Sequence, residues 1–100
     1  MTRREKMNAA EATDIAETVL QAYRQMRYDD LARMVDETVW VRKFGATGAV
    51  YNVQVQAFWD AQPRGNVRVL AAVDDGKSGR VMCPLTCDFI IAPSGEFVGE

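Results

Sequence analysis

The sequence contains no histidine. That removes Ser-His-Asp and Cys-His catalysis and most zinc sites. Cysteine is scarce too: Cys83 and Cys87 are the two in 100 residues. Four apart along a strand, they stand about 13 Å from each other on one face. A disulfide needs Cα atoms within roughly 7 Å, so free buried thiols are expected. No basic neighbour or helix N-terminus stands nearby in the sequence to make either one reactive. Neither sign of charge dominates, with 12 basic and 14 acidic residues and a net charge of −2. That balance does not make a nucleic-acid surface. No window approaches the ~20 apolar residues of a membrane span. The opening MTRREKMNAAEATD lacks the apolar core of a signal peptide. A cytoplasmic protein without nucleic-acid or membrane partners is expected. No glycine-rich phosphate loop or metal-ligand spacing occurs, so neither cofactor nor metal is expected.

The apolar share is 48%, enough for one modest core, and residues 1–100 read as a single domain. Residues 8–28 carry Ala12, Ile15, Ala16, Val19, Leu20, Tyr23 and Met26 at three- and four-residue spacing, which predicts an amphipathic helix. Asp29 or Asp30 can cap a short second helix that turns Leu31, Met34 and Val35 inward. TVWVRKF at 38–44 switches to period two and predicts a strand. Its faces are Thr38, Trp40, Arg42, Phe44 and Val39, Val41, Lys43. GATG at 45–48 is a turn. VYNVQVQAFW at 50–59 is evenly divided. Its Val/Gln alternation predicts a strand, whereas Asn52 as an N-cap with Val55, Phe58 and Trp59 at helical spacing predicts a helix. Residues 66–73 predict a strand, 74–79 a hairpin loop, and 80–92 a long strand with Pro84 as a break in its ladder. After APSG, EFVGE begins one more strand. Helices gathered ahead of a strand meander predict an α+β fold, a curved antiparallel sheet wrapped on a long N-terminal helix.

Four stretches resemble the nuclear transport factor 2-like superfamily, which includes ketosteroid isomerase and the SnoaL-like cyclases. They are YRQMRYDDLARMVDETVWV, FGATG, YNVQVQAFWDAQP and the meander from Val67 to Glu100. The resemblance implies a third helix at 50–59, a cone with an apolar cavity at its open end, and a homodimer formed through the sheet. Two departures stand out. Isomerase-like members carry a carboxylate base where this chain has Arg42, so that activity is not implied. Members also usually add one or two full strands after the last turn. The sheet is then shortened, completed by a partner chain, or truncated, and an open edge favours a partner.

Three functions fit these residues. In the first, a cone pocket lined by Tyr23, Trp40, Arg42, Phe44, Phe58, Trp59 and Leu85 holds a small, mainly apolar or aromatic molecule, with Arg42 anchoring an anionic group. In the second, a cyclase, isomerase or hydrolase uses a pocket carboxylate. Asp88, Asp36 or Asp60 would supply the base, and Tyr23 would donate to a substrate oxygen. In the third, the cone is packed shut and the protein is a dimerisation module. Each residue also has a plain structural role: Arg42 in an ion pair, Asp88 facing outward, Tyr23 and the other aromatics as core.

Overall fold

The structure is a computed structural model that describes residues 9–74 and 85–98. Its elements are α1 (Ala9–Arg24), α2 (Tyr28–Arg33), β1 (Thr38–Phe44), β2 (Val50–Trp59), β3 (Val67–Asp74), β4 (Leu85–Ile91) and β5 (Phe97–Val98). The fold is α+β. One long helix and a short one precede a five-stranded antiparallel sheet whose spatial order is the chain order, β1-β2-β3-β4-β5. The expectations for Cys83, Pro84 and residues 75–79 of the hairpin loop fall outside the described residues.

The α1 stripe forms as its spacing requires: Ala12, Ala16, Val19 and Leu20 are buried on one side. Glu11 in the first turn and Arg24 in the last complement the helix dipole. The helix stops four residues before the expected end. There Gln25 and Met26 donate to the carbonyls of Ala22 and Tyr23, tightening the last turn. The N-cap of α2 is Arg27, not an aspartate. Asp29 and Asp30 lie two and three positions further in, within the first turn. Leu31 of α2 is fully buried.

Residues 50–59 form a strand, and the expected third helix is absent. Tyr51, Val53, Val55 and Ala57 are buried, while Asn52, Gln54 and Gln56 between them face the other side half-exposed. This period-two pattern runs the length of the element, and β-branched valines favour the pleated backbone. Both edges of β2 are occupied, by β1 and by β3. Ladder bonds on two sides outweigh the local helical spacing of Val55, Phe58 and Trp59. Asn52 is therefore no N-cap but pairs in register with Arg42 and Asp74.

The turns account for their residue types. Gly45 donates to the carbonyl of Ala49 at 2.8 Å and closes the β1–β2 hairpin. Gly48 takes a φ of 92°, which glycine adopts without a Cβ penalty. Between β2 and β3, the N–H of Asp60 meets the carbonyl of Asn66 at 2.8 Å.

Helix α1 lies chiefly over β3 and β4. The core sits between them and includes Leu20, Leu31, Val53, Val55, Val67, Val69, Ala71 and Val73, all 0% exposed. Strand β1 lies beyond this cover. The opposite face of the sheet has no layer over it among the described residues.

Candidate functional site

The hairpin register decides which side chains meet. Thr38 pairs with Gln56, Trp40 with Gln54, and Arg42 with Asn52. Cross-strand partners share a face. Trp40, Arg42 and Phe44 therefore lie with the glutamines of β2, on the face away from α1. Trp40 is 67% exposed and Phe44 72%, and Arg42 is exposed between them. Phe58 shares that outer face at 42%. The expectation that these four line one hollow over the helix is corrected: Trp40, Arg42 and Phe58 sit on the wrong side of the sheet for it, and Phe44 reaches a space beside α1 only from the end of its strand.

The other face of β1 borders a hollow. Thr18, Val19, Ala22, Tyr23 and Met26 of α1 and the segment after it face Val41 and Lys43 of β1 across a space of about 470 Å3. The hollow exists because α1 sits over β3 and β4 and leaves the inner face of β1 partly uncovered. A second space of about 240 Å3 adjoins it, lined by Glu11, Asp14, Ile15, Thr18, Lys43, Phe44, Gly45 and Ala46. Both share Thr18 and Lys43. The two form one track along α1, apolar at the Tyr23 end and charged at the Glu11 end. Of the expected pocket residues, Tyr23 borders the first space and Phe44 the edge of the second. Trp59 and Leu85 share the inner face but pack against the core instead.

The expected carboxylates lie elsewhere. Asp88 is on the outer face in an ion pair with Arg68, which also binds Asp60 at 2.9 Å. The plain reading of Asp88, facing outward, is the one its geometry matches. Asp36 is exposed, at a φ of 74° just before β1. Cys87 is half-buried, and burial pushes its thiol up, away from the reactive thiolate.

Glu11 was not among the expected site residues. Its carboxylate accepts from the Thr47 N–H at 3.0 Å, the Thr47 hydroxyl at 2.8 Å and the Tyr51 hydroxyl at 2.6 Å. The Tyr51 bond, followed by those from Thr47, holds Glu11 below the ordinary carboxylate value of 4.5. A carboxylate kept ionised by several donors is a poor general base. Its work is to lock the first turn of α1 onto the β1–β2 turn. A Cβ on Gly45 would lie 2.7 Å from Glu11 Oε1 and closer still to its Cδ. Gly45→Ala is therefore expected to displace the Glu11 carboxylate. The lock also sets a pH dependence. Because the folded pKa is depressed, its stabilisation is complete above about 4.5 and lost as pH falls through the folded value. Glu11→Gln should flatten the acid limb of a stability–pH curve, measured by urea unfolding. An unchanged limb would count against the lock.

A third space, of about 380 Å3, lies between the end of α1 and the β4–β5 turn, where Arg24, Arg27, Asp29 and Ser94 face each other. Arg24 is already held there, 5.1 Å over the Phe89 ring and 3.2 Å from Glu17. No helix among the described residues is long and apolar enough to cross a membrane.

No family model matches the chain, and no curated protein or solved structure matches it.

Proposed function

We propose that the chain binds a small, mainly apolar molecule in the track between α1 and β1. The observation that carries this reading is the hollow itself: about 470 Å3, walled by Val19, Ala22, Met26 and Val41, with few polar groups converging on it. That volume lies within the usual range for small-molecule sites, and the balance of many apolar groups and few polar ones is characteristic of them. Tyr23 and Thr18 hydroxyls can orient a ligand. Lys43, rather than Arg42, stands where an anionic group would sit. An elongated carboxylate with an apolar or aromatic body fits this order of groups. Its head would lie short of Glu11 and Asp14, whose charges oppose it.

The resemblance to the nuclear transport factor 2-like superfamily supports the same side of the sheet, since a sheet curved about the long helix encloses a cavity there. The strand at 50–59 departs from that pattern by removing the third helix. We read the chain as a reduced cone of this kind, open along β1. The cyclase or isomerase reading has less support, because Glu11 is held by Thr47 and Tyr51, and Asp60 and Asp88 by Arg68 on the far face.

Thermal-shift measurements with dodecanoate and naphthoate test the proposal. Both are expected to raise Tm. Ala22 is exposed at the hollow's wall, so Ala22→Phe should fold, fill the space and abolish the shift. Lys43→Ala should weaken carboxylate binding about tenfold, the size of one charge-assisted contact. Arg42→Ala should change nothing. No shift with any probe, or a loss confined to Arg42→Ala, contradicts the assignment.

A further inference from the structure

Among the described residues, β1 is an edge strand with β2 its one neighbour in the sheet. It pairs with β2 over all seven residues without interruption, so neither a bulge nor a proline blunts it. An edge of this length offers a row of backbone donors and acceptors to another strand. Burial along the inner face adds a second observation. Val55, Ala71, Val53 and Val73 are 0% exposed, yet Val39 and Val41, next in the same cross-strand rows, remain half-exposed. The apolar wall runs past the cover of α1 and out to the edge.

We propose that a second copy of this chain pairs along that edge, β1 against β1, antiparallel about a two-fold axis at Trp40. A two-fold contact must be self-complementary, and the sequence of this strand is so in that register. Trp40 faces Trp40 of the second copy, an aromatic cross-strand pair on the outer face. Val41 faces Val39 on the inner face, and Arg42 faces Thr38. Lys43 faces Glu37. Both are exposed in the single chain, and Glu37 directly precedes the strand, so carrying the two-residue alternation one residue further sets the two on the same face. The symmetry makes this ion pair twice. Centring on Val41 instead sets Lys43 against Val39 and pairs no opposite charges. Centring on Val39 sets Val41 against Glu37, and its Arg42–Asp36 pair needs extended backbone at Asp36, whose φ is 74°. Charge thus selects the Trp40 register. The product is a continuous ten-stranded sheet, with the two tracks side by side across the axis.

This inference does not rest on ligand binding. An anion at Lys43 would compete with Glu37 of the second copy, so the test is run without ligand. Sedimentation equilibrium should show a species of twice 11.2 kDa. Glu37→Lys and Lys43→Glu should each weaken it by about tenfold or more, by setting like charges opposite each other twice. The double exchange should restore the dimer. Trp40→Cys brings two sulfurs together at the axis, where facing Cα atoms lie about 4.5–5.5 Å apart, within disulfide range. Oxidation should link the residue-40 sulfurs, identified by peptide mass, and Gln54→Cys should not cross-link. A mass of 11.2 kDa at every concentration overturns the proposal. So does a dimer indifferent to both charge reversals, or one linked through Gln54→Cys, which would place the contact on the open sheet face.

Discussion

Val55→Asp is expected to unfold the protein at neutral pH. Val55 is 0% exposed, in the middle of a strand with neighbours on both edges. Among the described residues no charged side chain is buried with it, and an uncompensated buried charge costs several kcal/mol. The whole stability of a domain is about 5–15 kcal/mol. Two control substitutions make the result specific to the strand. Gln54→Thr, one residue away and on the outer face, should stay within about 1 kcal/mol of the parent. Phe58→Asp should be tolerated far better than Val55→Asp, because Phe58 is 42% exposed. A helix over these residues would turn Val55, Phe58 and Trp59 inward together and make both aspartates equally damaging. Circular dichroism and urea unfolding of the three variants separate the two outcomes.

Leu20→Ala should lower stability by about 3–5 kcal/mol, the range for a leucine truncated in a closed core. Leu20 is 0% exposed on the face of α1 that lies over β3 and β4. The neighbouring valines are anchored in the ladder and cannot collapse into the space. The expected fall in Tm exceeds about 10 °C. Leu70→Ala provides the comparison. Leu70 lies on the outer face opposite Asp88, half-exposed, and its truncation should cost about 1 kcal/mol. Similar losses at the two positions would mean that the outer face is covered as the inner one is.

Most of the fold was legible in the sequence, because its signals are strongly periodic. The helix stripe of Ala12, Ala16, Val19 and Leu20, the strand at 38–44 and the glycine turn all emerge where their patterns place them. The error lay at 50–59, and it carried a second error with it. Read as a helix, this stretch gives β1 no hairpin partner and leaves its faces undecided. The aromatic face, Trp40–Arg42–Phe44, then looks like the pocket wall. Read as a strand, the short GATG turn sets Trp40 opposite Gln54 and Arg42 opposite Asn52. The polar side of β2 thereby identifies the outer side of β1. The signal was present in the Val/Gln alternation. It was overridden by a family pattern that this chain does not follow there. The Glu11 lock had no such signal, since Thr47 and Tyr51 are 36 and 40 residues away and no local pattern links them.

The track between α1 and β1 is tested most directly by paramagnetic broadening. A nitroxide-labelled fatty acid is titrated into isotope-labelled protein, and the loss of signal is mapped by residue. Val19, Tyr23 and Val41 should broaden first, with the Trp40 indole N–H unaffected on the far face. Broadening centred on Trp40, Arg42 and Phe44, or none at any residue, would contradict the account.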